Sequence, residues 1–181
     1  TDERGELLGA FKGEDKILLI NKDGDAKVVI PEMTLHFDEN LICIEKWKPT
    51  KPITSVYFDT EKQRYFIKRF IIENESKEDR FIKAGGEMIF LNTDWRPIIR
   101  VNFVKPRDKD PIPPMEVNAE EFIALKGFKA HGNQLSQKKI KNIELIEALR
   151  YDDDEKSVEE IEVNDQEELS ADDDSQIKLN L

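Results

Sequence analysis

The sequence holds one cysteine, Cys43, and two histidines, His36 and His131, far apart in the chain. One cysteine excludes an internal disulfide and any cysteine-rich metal site. In Leu41-Ile42-Cys43-Ile44 it reads as a small buried apolar residue, and a reducing cytoplasm is the expected compartment. No run approaches the roughly 18 apolar residues of a membrane span, and no signal peptide is expected. Thr1-Asp2-Glu3-Arg4 has no start signal and reads as part of a longer protein. Phosphate-loop, dinucleotide, zinc-protease and CxxC patterns are all missing. No catalytic residue, metal site or cofactor is therefore expected in this chain. The aspartate triplets at 152–154 and 172–174 read as solvated chain before cation ligands.

Net positive charge is also lacking: the formal net charge of 181 residues is -11. Its distribution matters more than its sum. Residues 151–181 carry 13 acidic and 2 basic side chains, a net of -11. Subtraction from 39 acidic and 28 basic leaves 26 of each in residues 1–150. The body is balanced and the last segment carries the whole excess. Two regions follow: a folded one at 1–150 and a disordered acidic tail at 151–181, poor in apolar residues.

The body reads as all-β. DKILLINKDGDAKVVI places Asp-Gly between two β-prone runs, a strong hairpin signal. Two later stretches, residues 53–70 and 85–103, repeat strand, polar turn, strand. Strand ends at Ile20, Phe58 and Leu91 are 38 and 33 residues apart, a loose repeat of blade-like units. Strands are expected near 17–20, 26–30, 41–45, 54–58, 64–71, 88–91, 98–104, 122–126 and 138–146. The run at 144–149 is equally compatible with a helix. KPRDKDPIPP, residues 105–114, reads as a connector.

The stretch around two glycines, Gly127 and Gly132, combines an apolar run at 122–125, a basic loop, and a second run rich in lysine. Glycines so placed suggest a sharp turn or close backbone approach. The lysines suggest a polyanion. In YFIKRF, Lys68 and Arg69 face opposite sides of a strand. They read either as charges guarding an edge or as phosphate contacts. His36 reads as an ordinary strand histidine and His131 as a polar loop residue. Trp47 and Trp95 read as packing, and no aromatic run suggests RNA.

YFIKRF followed by GGEMIFLN resembles the C-terminal region of the A subunit of bacterial topoisomerase IV and gyrase, most closely the topoisomerase IV type of Bacteroidetes-like bacteria. A closing stretch of that family is matched by Lys126-Gly127, Gly132-Asn133, Leu135, Ile140 and Ile143-Glu144-Leu145. The likeness runs over roughly residues 6–147. It implies a β-pinwheel, a propeller-like disc of four-stranded blades, here only its last part. It implies a non-catalytic role: binding, positioning or bending duplex DNA during ATP-dependent strand passage. Catalysis would lie in a breakage–reunion core; Tyr57, Tyr65 and Tyr151 do not match its tyrosine context. The parent's partners would be a second A subunit, together with the ATPase B subunit, near the nucleoid. The gyrase-specific glutamine–arginine–glycine box is absent, which favours topoisomerase IV. Lys68, Arg69, Lys126, Lys129, Lys138, Lys139 and Lys141 are the expected DNA contacts. The tail would then compete with DNA for basic patches. The other reading is a propeller-like protein-interaction module with a regulatory tail.

Overall fold

The computed structural model describes residues 10–32, 37, 39–73, 77–107, 109–151 and 154. The chain divides into a unit Thr1–Leu149 and a second, Arg150–Leu181. Most of the expected acidic tail lies outside the described residues, as does His36. Among its described residues the first unit is all-β: eleven strands and one four-residue helix.

β1 (Ile17–Asn21) and β2 (Asp25–Val29) form the first hairpin. Its turn is set locally. Asn21 Oδ1 accepts from the backbone N–H of Asp23 and Asp25, both at 3.0 Å, and Gly24 supplies the φ of +80°. That left-handed conformation is costly for any residue with a Cβ. β3 (Leu41–Lys46) pairs with β1. β4 (Ile53–Asp59) and β5 (Arg64–Phe70) form the second hairpin. Asp59 Oδ1 holds its turn by accepting from Glu61 and Lys62 N–H, both at 3.0 Å. β6 (Asp79–Arg80) crosses back to pair with β2, and β7 (Glu87–Asn92) pairs with β4. β8 (Arg96–Phe103) and β9 (Met115–Asn118) pair next, and α1 (Ala119–Phe122) follows β9. β10 (Asn133–Ser136) returns to β5, and β11 (Ile140–Leu149) lies beside β8.

Among the described residues the three sheets have the orders β3-β1-β2-β6, β10-β5-β4-β7 and β11-β8-β9. One rule generates all three. A hairpin is followed by a strand given to the previous hairpin, then by a strand that flanks the hairpin's own first strand. β4, β5, β6 and β7 obey it, and so do β8, β9, β10 and β11. The true repeat therefore begins at Ile17, Ile53 and Arg96, with spacings of 36 and 43 residues.

This corrects two expectations and decides a third that was open. Residues 85–103 are not a hairpin, because β7 and β8 belong to different sheets. No strand covers 122–126. Phe122 closes a helical turn capped by Asn118, whose side chain accepts from Glu120 N–H at 3.1 Å. Ile123 is buried while Phe122 and Leu125 are exposed. Apolar content there reflects one anchor residue, not a buried strand. Finally, 144–149 is strand, held by its register on β8.

The β4–β5 hairpin is the centre of the first unit. Twelve of the fourteen residues in its two strands are buried. Alternation sends Phe66 and Phe70 to a cluster with Leu18, Ile20 and Phe81 of the first sheet's side. It sends Tyr65 and Ile67 to a cluster with Ile99, Val101 and Val117 of the third sheet's side. A sheet covered on both faces reads as a continuous apolar run, not an alternating one.

Candidate nucleic-acid interface

The basic residues sort by burial. Lys68 has no exposed surface. Its Nζ donates to Phe81 O at 2.7 Å and to Phe128 O. It lies 4.9, 6.0 and 5.7 Å from the ring centroids of Phe70, Phe81 and Phe128. Burial pushes its ammonium down to about 8, with Lys129 adding to the shift and Glu73 opposing it. Arg69 faces the other way and is also buried. It donates to Trp95 O at 3.1 Å and stands 3.8 Å from Glu120, which also pairs with Arg96 at 3.0 Å. The sequence places both residues at DNA. The structure places both in the interior, because the strand carrying them is covered on both faces. A phosphate cannot reach either without opening the core.

Lys126 and Lys129 sit on the loop that closes the far end of β5. Lys126 N–H donates to Arg69 O at 2.8 Å and its side chain is exposed. Lys129 is exposed but engaged: it pairs with Asp79 and donates to Arg80 O at 3.0 Å. Gly132 shows why glycine is needed in this loop. Its φ is +88°, and a Cβ there would lie 2.3 Å from Ile67 O. Gly127 has no such constraint; a Cβ there would meet Glu73 at an ordinary 3.6 Å.

His131, in the same loop, is half-buried against Phe66, with ring centroids 4.1 Å apart. Tyr57 Oη donates to His131 O at 2.6 Å and lies 3.1 Å from Nδ1. Nε2 stands 3.5 Å from Asp59 Oδ2 and 3.3 Å from Lys62 Nζ. Burial, then Lys62, hold the imidazole below its usual range, with Asp59 opposing. Burial, then Asp59, raise the Tyr57 phenol. For Asp59 itself, burial pushes upward, but the Lys62 and Glu61 N–H groups outweigh it and the carboxyl lies below its usual range. This cluster anchors the loop to the β4–β5 turn.

Lys138, Lys139 and Lys141 are exposed. Ser136 Oγ accepts from Lys138 N–H at 2.9 Å, turning the chain from the second sheet into the third. Ile140 then pairs with Phe103, and Val104 N–H donates to Lys139 O at 2.9 Å. The residues beyond Val104 therefore leave the ladder beside those preceding Ile140. They include Lys105, Arg107 and Lys109, all three exposed. Among the described residues, none of these six cations forms an ion pair. By contrast Arg80, Lys83, Arg96, Arg100 and Lys129 all do. Lys105, Arg107 and Lys109 are not among the contacts expected from sequence. Their alternation in KPRDK is visible there, but only the β8–β11 register brings them to the lysines.

The two basic regions are not one continuous patch. Lys126 bridges to Phe70, whereas Ser136 pairs with Tyr65 at the other end of β5. Five residue rises separate those positions, roughly 16 Å at about 3.3 Å each. Among the described residues there is no group of three potential metal ligands. Nor is any helix among them long and apolar enough to cross a membrane.

Comparison with protein families matches residues 1–147 to the Topoisomerase C-terminal domain, Bacteroidota. The chain belongs to this family. Searches of curated proteins and of solved structures returned no match. The matched range of this topoisomerase C-terminal domain ends inside β11, so it takes in all three repeat units. It also takes in all six cations of the β8–β11 end.

Proposed function

We propose that this topoisomerase C-terminal domain is a non-catalytic DNA-binding element of a topoisomerase IV-type A subunit. It holds duplex DNA near a catalytic core carried elsewhere in the parent, whose partners are a second A subunit, together with the ATPase B subunit. The observation that carries the reading is the set of exposed cations at the β8–β11 end with no described acidic partner: Lys105, Arg107, Lys109, Lys138, Lys139 and Lys141. Cations without local partners release condensed counterions when they meet phosphate. Already paired cations must first give up a protein carboxylate. Contacts of this kind position a duplex without reading its sequence. The β5 residues beside Lys126 and beside Ser136, Phe70 and Tyr65, are roughly 16 Å apart along the strand, close to half a helical turn of B-DNA, about 17 Å. Both regions can thus serve one duplex, and together offset the few kcal/mol that bending costs. The absent gyrase box supports a topoisomerase IV type.

A second reading rests on Leu145 and Ile146, 44% and 42% exposed on β11. Adjacent exposed apolar residues on a long strand suit a protein partner. Fluorescence anisotropy of a labelled duplex across a salt series separates the two. The DNA reading expects binding that weakens steeply with salt. No binding at low salt by folded chain overturns it and leaves the protein-partner reading.

A further inference from the structure

The loop after β6 and the basic loop after α1 face each other across a cleft of about 320 Å³. That is the volume of roughly ten waters at about 30 Å³ each. Arg80, Lys83 and Lys129 line it together with His131, and among the described residues no carboxylate does. The carboxylates that pair with these cations, Asp25, Glu61 and Asp79, stand outside its wall. A cation already paired is a poor phosphate contact by itself. Glu61 is 69% exposed, however, so Lys83 exchanges it for another oxygen at little cost. His131 supplies the rest of the driving force.

Two contacts fix the tautomer of His131. The Tyr57 O–H is spent on His131 O at 2.6 Å, so Tyr57 Oη accepts from Nδ1–H at 3.1 Å. An ammonium has donors only, so Lys62 Nζ, at 3.3 Å, donates to an unprotonated Nε2. The imidazole is therefore neutral. Asp59 Oδ2 stands 3.5 Å from the same Nε2. Asp59 is 1% exposed, and its Oδ2 accepts no hydrogen bond among the described residues. A buried oxygen without a donor is costly, and this one faces a nitrogen that lacks a proton. The charges around the ring decide when that proton arrives. Burial opposes it first, then Lys62 of the β4–β5 turn, with Lys83 of the loop after β6 and Lys68 of β5 adding to the opposition, while Asp59 favours it. Lys129, on the loop of His131 itself, adds a further cation to the cleft wall. An anion in the cleft offsets these lysines and lets the ring charge.

We propose that this cleft is a proton-linked phosphate site. A phosphate group binds Lys83, Arg80 and Lys129 while His131 takes a proton from solvent on Nε2. The new N–H donates to Asp59 Oδ2, and Lys62, displaced from Nε2, joins the ligand. Phosphate binding and protonation then favour each other by the same factor, whichever comes first. The phosphate group belongs either to a duplex backbone or to a free diphosphate, and the chemistry that receives it is the same. Pyrophosphate alone tests the site without recourse to DNA binding.

The test follows the histidine ring nitrogens of the full 181-residue chain by long-range proton–nitrogen NMR through a pH titration. It is run without ligand, with inorganic pyrophosphate, and with a short DNA duplex. His131→Gln assigns the signals, since His36 is the other histidine. Without ligand, His131 is expected to be neutral at about pH 7, with its proton on Nδ1. Ligand is expected to raise its proton affinity about tenfold, one pH unit in the midpoint. Lys83→Gln is expected to remove about half of that shift or more. A response to pyrophosphate alone identifies a free diphosphate as the ligand. A response to the duplex alone identifies backbone phosphate, and a response to both a site for either. A titration that neither ligand moves overturns the proposal; if the duplex nonetheless binds by anisotropy, the DNA reading stands without this site. A shift that Lys83→Gln leaves intact, or that His36 shares equally, overturns it as well.

Discussion

Replacing Lys68 by methionine tests whether a buried lysine sets the chain's stability against pH. Lys68 Nζ is the shared donor to Phe81 O and Phe128 O, and it ties the loop after β6 to the basic loop after α1. Methionine keeps the length and suits the three rings, but it leaves both carbonyls without that donor. Each buried unpaired acceptor costs about 1–3 kcal/mol. Against this, the wild type bears the cost of burying a charge. Its ammonium lies near 8 in the folded chain against 10.5 for an unperturbed lysine. Between those values the unfolded chain holds a proton that the folded chain has released, so stability rises with pH. Well below pH 8 the full cost is present. From pH 7 to 9.5 the wild type gains about 2 kcal/mol from this group. Lys68→Met lacks the gain, while Tyr57 and the other groups are common to both. Urea denaturation followed by tryptophan fluorescence should therefore show a wild-type advantage that widens by about 2 kcal/mol between the two pH values. An advantage that stays constant or narrows refutes the reasoning.

Gly132→Ala should destabilise by more than about 2 kcal/mol in the same assay, because φ is +88° and the new Cβ would meet Ile67 O. Gly127→Ala, which meets no such obstacle, should cost under about 1 kcal/mol. Alanine at Lys138, Lys139 and Lys141 together should leave thermal stability unchanged and reduce the salt slope of DNA binding by roughly 2.7, at about 0.9 per lost phosphate contact. The folded His131 titrates below its unfolded range. The unfolded chain thus takes up the proton first as pH falls, and stability is lost through that window. His131→Gln should flatten the stability curve between about pH 5 and 7; an unchanged slope contradicts the placement of His131.

How much of this is legible in sequence depends on whether the deciding contact is local. The Asp-Gly turn, the β4–β5 hairpin and the proline-rich connector carry their signals within a few residues, and all three can be read. β7 and β8 imitate a hairpin because a short polar turn joins them; which sheet each enters is decided by β4, a whole hairpin earlier in the chain, and by β9, beyond the proline-rich connector. β6 and β10 have two and four residues and little apolar content, so neither signals itself. Of the expected contacts, alternation correctly puts Lys68 and Arg69 on opposite faces. What alternation cannot show is that both faces are covered. Lys105, Arg107 and Lys109 join the candidate set only through the register of β8 on β11.

The central claim is that phosphate lands on the exposed cations of the β8–β11 end and not on the buried pair. Lysine acetylation footprinting, read by mass spectrometry with and without duplex DNA, tests it most directly. The account predicts protection of Lys105, Lys109, Lys138, Lys139 and Lys141. It also predicts that Lys27, paired with Glu78 on the first sheet, keeps its reactivity, and that Lys68 is unreactive in both states. Protection concentrated on first-sheet lysines, with Lys138, Lys139 and Lys141 unchanged, would contradict it.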